Sequence, residues 1–292
     1  MGFPEPSGDV IVLGYFDGVH TGHVRLLETA SGIAFRCGGK VSVRTFSDDR
    51  TDAISPGSLR KDLLIRFGAD TVIADRFADV RDFSPEEFVE FAVGPSDFVV
   101  CGFNYSFGKG RSGDSETLSR LVGAVRVSVV PPVTYDGDRV SSSLLRALLA
   151  DGNIKRAIGM LGHPFIIRGE VIHGKHLGRK LGFPTANVAL DGCFLPNGAY
   201  AGYCFINGKV YPTVTGITSC PTTGTEIRHS ETHIIGFDGD LYGNTCDFMI
   251  TGRIREEKNY LSTGALSRRI SDDIKISEDL FGKTEAFFNL KK

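Results

Sequence analysis

Asp9-Val10-Ile11-Val12-Leu13-Gly14-Tyr15-Phe16-Asp17-Gly18-Val19-His20-Thr21-Gly22-His23 decides the architecture of the first half of the chain. Its apolar residues Val10 to Leu13 stop at a glycine, the pattern of a buried strand entering a tight turn. Beyond His20, apolar positions at Val24, Leu26, Leu27 and Ala30 predict a helix. Gly14, Gly18 and Gly22 permit backbone geometry and close approach that a β-carbon would obstruct. A helix opening there offers free N–H groups and a positive dipole end to phosphate oxygens. His20 and His23, three residues apart at that start, can donate hydrogen bonds to an α-phosphate as charge builds on it. Paired histidines can also be incidental caps or metal ligands. The preceding strand and Phe16-Asp17-Gly18 in register argue against the first, and the lack of a third His or a Cys against the second.

Outward from this stretch, strands are expected at Lys40–Phe46, Thr71–Ala74 and Asp97–Cys101, with helices at Ser58–Phe67 and Pro85–Val93. Alternating strands and helices imply a parallel, doubly wound α/β sheet. Its ligand belongs outside the carboxyl ends of the strands, where His20 and Asn104 both fall. After Asp151-Gly152-Asn153 the pattern changes. Residues 1–150 read as the α/β domain, 151–164 as a linker with a helix over Ile154–Leu161, and 165–292 as a second domain. There, β-rich pieces dominate: Phe165–His173, Gly198–Ile206, Lys209–Thr215, Glu231–Phe237 and Cys246–Arg253. Asn207-Gly208 and Asp238-Gly239 separate several of them, the second reading as a hairpin turn. Such spacing favours a small antiparallel barrel, followed by a helical tail over Leu261–Leu280.

The composition fits this two-domain plan. At 292 residues, 41% hydrophobic and 23% charged, the chain can bury a core in each half. A net charge of −2 with interspersed signs gives no footprint for nucleic acid. The six cysteines show no metal-type spacing and read as reduced thiols, some buried as small apolar residues. With no leader pattern and no run of 18 apolar residues, the expectation is a cytoplasmic protein without a membrane segment. Oligomeric state is not encoded in any of these features.

A second constellation lies at Gly174-Lys175-His176-Leu177-Gly178-Arg179-Lys180-Leu181-Gly182-Phe183-Pro184-Thr185-Ala186-Asn187. Gly174, Gly178 and Gly182 suggest a mobile loop able to close over phosphates. The Thr185 hydroxyl and Asn187 amide oxygen are hard ligands of the kind Mg²⁺ accepts, with ATP oxygens and waters completing the shell.

The first stretch resembles the HxGH nucleotidyltransferases, and more narrowly the FMN adenylyltransferase module of bacterial bifunctional riboflavin kinase/FAD synthetases. Asn104-Tyr105-Ser106-Phe107-Gly108 is similar to that family's block associated with nucleotide and flavin binding. Ser141-Ser142-Ser143-Leu144-Leu145-Arg146 resembles its phosphate-lining signature, to which serine hydroxyls and an arginine are chemically suited. The second constellation resembles the family's riboflavin kinase signature, which implies a six-stranded β-barrel. By position in that pattern, Glu231 in Ser230-Glu231-Thr232-His233 matches the catalytic base, and Asp238-Gly239-Asp240-Leu241-Tyr242-Gly243 a further family block. Arg255 matches an Arg-x-Glu segment near the flavin. The resemblance spans roughly residues 9 to 280. It implies Gly14, Phe16, Asp17, Gly18, Gly22, Asn104, Ser141, Ser142, Ser143 and Arg146 around ATP in the first module. It implies Gly174, Gly178, Arg179, Gly182 and Arg255 around ATP and flavin in the second, with Thr185 and Asn187 on the metal. Riboflavin, FMN and ATP are the expected substrates and Mg²⁺ the expected cofactor.

Two segments depart from the family pattern. Thr45-Phe46-Ser47-Asp48-Asp49-Arg50 lacks the usual prolines and histidine, and Thr215-Gly216-Ile217-Thr218 lacks the usual Asn and Gly. They leave open a kinase-only paralogue with a degenerate first module, or a flavin- or nucleotide-binding regulator without turnover.

Overall fold

The computed structural model describes residues 8–47, 51–94, 98–174, 178, 181–190, 195–222, 225–258, 260 and 262–289. The chain divides into two compact units, Met1–Ser142 and Ser143–Lys292.

In the first unit, β1 (Val10–Leu13) leads to α1 (Thr21–Cys37), β2 (Val41–Phe46), α2 (Gly57–Arg66), β3 (Thr71–Asp75), the single turn α3 (Phe77–Val80), α4 (Pro85–Ala92) and β4 (Phe98–Gly102). Two-residue ladders β5 (Ser106–Phe107) and β6 (Gly113–Asp114) precede α5 (Ser115–Val122), β7 (Val127–Val130), and the short pair β8 (Thr134–Tyr135) and β9 (Asp138–Arg139). The main sheet is parallel throughout, in the order β3-β2-β1-β4-β7. As the central strand, β1 is covered on both faces, which is why its sequence is an unbroken apolar run. Helix α1 buries Leu26, Leu27, Ala30 and Ala34 and ends at Gly38, whose φ of 71° closes a cap onto the Ala34 carbonyl. Each fully buried leucine contributes about 1.5–3 kcal/mol by leaving water. Helix α4 opens with a capping box: Glu87 N–H donates to Ser84 Oγ, and Ser84 N–H to Glu87 Oε2, with Pro85 in the first turn. The chain reverses its strand order at β1, with β2 on one side and β4 on the other. The crevice outside the carboxyl ends of β1 and β4 is therefore the topological switch point.

The second unit follows α6 (Ser142–Ala150) with α7 (Ile154–Leu161), β10 (Phe165–Glu170), β11 (Thr185–Ala189), β12 (Gly198–Ile206), β13 (Lys209–Thr222), β14 (Thr225–Ile234), β15 (Thr245–Glu256) and α8 (Thr263–Asn289). Its six strands form one antiparallel sheet, β10-β15-β12-β13-β14-β11. The sheet curls until its edge strands meet. An ideal Cβ on Gly169 of β10 would lie within 2.2 Å of Val188 Cγ1 on β11, and Ile172 N–H donates to the Asn187 carbonyl at 2.9 Å. Helix α7 packs against β10 and β15 through Ile154, Ala157, Met160 and Leu161. Helix α8 docks on the barrel with polar anchors: Ser277 Oγ donates to the Thr213 carbonyl, and the buried Asp273 receives Arg255 and Arg269.

Asn207-Gly208 is the hairpin turn between β12 and β13, both residues in the left-handed region at φ 49° and 77°. Asp238-Gly239 is not a hairpin. The strands flanking it, β14 and β15, are separated in the sheet by β12 and β13. Gly239 does not adopt a positive φ; a β-carbon there would lie 2.6 Å from the Phe237 ring. The Asp-Gly signal marks ring packing within a long loop. Strands β13, β14 and β15 also run further than the apolar alternation suggests. Among the described residues the free cysteines include the buried Cys101 and Cys204, whose thiols burial pushes up to about 11 and about 12. No helix among the described residues is long and apolar enough to cross a membrane.

Candidate active sites

The first site is built on the β1–α1 connection. Phe16 and Val19 take positive φ values, 60° and 41°, around Gly18 at 78°. For non-glycine residues that conformation costs about 1–2 kcal/mol each, so the surroundings must hold it. Phe16 and Val19 are fully buried, and Val19 N–H closes the turn onto the Phe16 carbonyl at 3.1 Å. Gly14 is required by the Phe16 ring, which a β-carbon would meet at 3.0 Å.

That turn delivers His20 to the N-cap of α1, where its Nδ1 accepts the His23 N–H at 3.3 Å. Accepting there places the proton of a neutral His20 ring on Nε2. Gly22 leaves room for the ring, since a β-carbon would lie 3.1 Å from it. The His20 and His23 rings stack with centroids 3.6 Å apart and planes 13° from parallel, and the Phe16 ring abuts His23 at 5.1 Å. Burial, and then the neighbouring His20, hold His23 well below the usual imidazole range. Two full charges at this separation would repel by about 4–5 kcal/mol at an effective dielectric constant of 20. Charge on His23 is therefore disfavoured, and the pair sits at the positive end of a 17-residue helix, a place that favours an anion. His23 Nδ1 is buried and has no hydrogen-bond partner among the described residues.

Asn104 follows β4 at the same carboxyl edge and is exposed, with Tyr105 and Phe107 stacked behind it at 5.7 Å. Ser142, at the start of α6, donates through Oγ to the Asp17 carbonyl at 3.0 Å. Ser141 is half-buried in the first unit. Ser143, exposed, and Arg146, half-buried, belong to the second.

The second site lies on the β11–β14 ladder. Thr185 and Asn187 point to one face, two residues apart along a strand. Directly opposite them stand His233 and Glu231, so all four share that face. Asn187 is buried and donates Nδ2–H to the Thr185 carbonyl at 3.2 Å, which leaves Oδ1 as the acceptor of its amide. Gly174 and Gly178 lie close over the pair. An ideal Cβ on Gly174 would lie 2.6 Å from the Asn187 amide, and one on Gly178 would lie 2.4 Å from the Phe183 carbonyl and 3.4 Å from Thr185 Oγ1. Gly182 is required by its φ of 88°. Packing and backbone geometry, rather than looseness alone, therefore account for these glycines. Pro184 is gripped by His233, whose Nδ1 lies 2.9 Å from its carbonyl oxygen while the ring meets Phe183 edge-on.

A cleft of about 430 Å³ opens beside Thr185 and Asn187, within the range of small-ligand sites. Its far wall is the β14–β15 loop, including Asp238, Asp240 and Tyr242. Tyr242 N–H donates to Asp240 Oδ1, and its ring lies 3.8 Å from that of His173. Asp238 to Tyr242 of the family block thus line the cleft. Val171 and Thr232, also lining it, carry no local sequence signal and are found only through the barrel's closure. Hydroxyl and amide oxygens side by side, under a roof that glycine leaves open, suit a hard divalent cation. Among the described residues no cluster of His, Cys, Asp and Glu offers a site of another kind.

Arg255 is not among the cleft-lining residues. Its guanidinium is paired with Asp273 of α8, at 2.9 Å from both Nε and Nη2. Arg179 and the Asp48–Arg50 segment lie outside the described residues.

Two family models match the chain in tandem, FAD synthetase over residues 3–144 and riboflavin kinase over residues 161–281. Curated bifunctional riboflavin kinase/FMN adenylyltransferases align over nearly its full length. The Bacillus subtilis protein is 32% identical, covering 92% of this chain and 91% of its own. The Escherichia coli K12 protein is 31% identical, covering 96% and 95%, and the Pseudomonas fluorescens protein 33%, covering 93% and 92%. A crystal structure described as a macrolide-efflux protein from Streptococcus pneumoniae superposes with a TM-score of 0.81 at 30% identity, covering 95% of each chain.

Proposed function

From the membership of this chain in the bifunctional riboflavin kinase/FMN adenylyltransferase family, we infer that it makes FMN and then FAD, each step at its own site. The observation that carries this reading is the coexistence of a stacked His20/His23 pair at a helix N-terminus and a glycine-roofed Thr185/Asn187 pair in a separate unit.

In the barrel, Glu231 accepts the proton of the riboflavin 5′-hydroxyl as that oxygen attacks the γ-phosphorus of ATP. The bond to the β-phosphate oxygen breaks, FMN forms and ADP leaves. Glu231 faces the same side of the ladder as Asn187 and Thr185, which would hold Mg²⁺ through Oδ1 and the hydroxyl. Held by these two residues, Mg²⁺ would supply neutralisation of the phosphate charge. Gly174, Gly178 and Gly182 let the loop approach the phosphates, with Arg179 and Arg255 serving ATP and flavin.

In the α/β unit, a phosphate oxygen of FMN attacks the α-phosphorus of a second ATP, and the bond to the bridging oxygen of pyrophosphate breaks. The nucleophile is already anionic, so no protein base is needed. His20 and His23 donate to the α-phosphate oxygens, helped by the α1 N-terminus. Gly14, Gly18 and Gly22 allow close backbone approach, while Asn104, Ser141 and Ser142 complete the nucleotide and flavin contacts.

Incubating the protein with riboflavin, ATP and Mg²⁺ and resolving the flavins by chromatography tests the reading. FMN followed by FAD is expected; absence of both rejects it. FMN plus ATP supplied directly separates the full enzyme from a kinase-only paralogue, because only the former releases pyrophosphate.

A further inference from the structure

The motif that carries the histidine pair contains one acidic residue, and the structure buries it. Asp17 is 1% exposed. Its Oδ1 accepts the N–H groups of Ile54 at 2.7 Å and Ser55 at 3.3 Å. Ser55, itself 2% exposed, returns the contact by accepting the Gly18 N–H on its Oγ at 3.1 Å. The backbone carbonyl of Asp17 accepts Ser142 Oγ. Gly18 packs against Ile54, which a β-carbon would meet at 3.1 Å. Two segments far away in sequence therefore converge on Asp17 and Gly18 of the β1–α1 turn: the connection from β2 to α2, and Ser142 at the start of α6.

Those two residues sit inside the strained turn formed by Phe16, Gly18 and Val19. Left-handed backbone at a bulky and a β-branched residue persists only where the surroundings over-determine it. A buried carboxylate turned toward backbone N–H groups is poorly suited to hold a polyphosphate, whose charge it shares, but well suited to hold a backbone. We propose that Asp17 and Ser55 form a latch that positions His20 and His23 for adenylyl transfer, Asp17 acting as a positioning residue rather than as a ligand of ATP. The latch ties the histidine pair to the β2–α2 connection, so changes in that connection are read at the α-phosphate. The inference rests on the adenylyltransferase reading for its catalytic consequence, and on geometry alone for the latch.

The test uses the full chain with Asp17→Ala, Asp17→Asn and Ser55→Ala. FAD formation from FMN and ATP is measured as kcat and KM for ATP, with riboflavin phosphorylation in the same molecule as the internal control. A misplacement near 1 Å at a reacting centre costs on the order of 100-fold. Asp17→Ala is therefore expected to lower kcat 10- to 100-fold with KM for ATP within threefold of wild type. Asp17→Asn, which keeps an oxygen acceptor, recovers much of that loss. Ser55→Ala falls about 3- to 10-fold in kcat. All three keep riboflavin phosphorylation within twofold. Amide hydrogen exchange at Ile54, Ser55 and Gly18 gives a readout independent of turnover, with protection lost in Asp17→Ala and at Gly18 in Ser55→Ala. Equal damage by Asn and Ala together with a raised KM for ATP would make Asp17 a ligand and overturn the proposal, as would wild-type kcat in Ser55→Ala. If Asp17→Ala unfolds its unit, Ser55→Ala decides. A wild-type chain that forms no FAD would sink the adenylyltransferase reading while leaving the exchange experiment to judge the latch.

Discussion

Replacing Gly174 by alanine should disable riboflavin phosphorylation through a single methyl group. Gly174 does not adopt a positive φ, so alanine meets no backbone strain there. The new Cβ would lie 2.6 Å from Cγ, Nδ2 and Oδ1 of Asn187. Non-bonded carbon contacts settle near 3.5–4.0 Å, so the two groups must separate by about 1 Å. Asn187 cannot retreat with its backbone, which is held in the ladder opposite Glu231. Its side chain would rotate, breaking the Nδ2 bond to the Thr185 carbonyl and carrying Oδ1 off the position proposed for the cation. A shift of that size at a phosphoryl-transfer site costs about 100-fold in rate, or about 2.7 kcal/mol of barrier. The assay is FMN formation from riboflavin and ATP over a Mg²⁺ series, with FAD formation from supplied FMN as the control for folding. Gly208→Ala, at φ 77° with no atom within 4 Å of its Cβ, supplies a second comparison. It should lower stability by about 1 kcal/mol and leave kcat alone. A Gly174→Ala protein that phosphorylates riboflavin within threefold of wild type would refute the cradle.

Three further outcomes follow from other parts of the molecule. Burial and His20 depress the folded-state pKa of His23, so the unfolded chain binds the extra proton first. Stability is therefore present above about pH 6.5 and falls as pH drops below it; thermal melts from pH 7 to pH 5 should show this loss, and His23→Asn should flatten it. Glu231→Gln should cut riboflavin phosphorylation by about 10²–10⁴-fold and spare FAD formation from FMN, as product analysis would show. Asp273→Ala leaves Arg255 without its buried carboxylate and should destabilise the barrel by about 3–5 kcal/mol, measured as a drop in its denaturant midpoint.

The sequence reads best where a local signal and the tertiary structure agree. Val10 to Leu13, α7 at Ile154–Leu161 and β12 at Gly198–Ile206 fall where apolar pattern and Gly or Asn punctuation place them. Agreement fails where spatial neighbours decide. β7 is Val127-Ser128-Val129-Val130, a run interrupted by Ser128 and followed by two prolines, which its pattern does not single out. Asp238-Gly239 looks like a hairpin because its turn chemistry is local, whereas strand order is set by closure of the whole barrel. The histidine pair and the Thr185/Asn187 pair were both legible from residue type and spacing. Ile54 and Ser55 were not, because a latch made of backbone N–H groups and one hydroxyl leaves no mark on composition. The reason for Gly174 was equally hidden until Asn187 was seen beneath it.

Two separable sites for ATP chemistry are tested most directly by a pair of variants in the full-length chain. His23→Ala should convert riboflavin to FMN and stop there, whereas Asn187→Ala should fail on riboflavin yet convert supplied FMN to FAD and pyrophosphate. Loss of both products in either folded variant would contradict the assignment of one reaction to each unit.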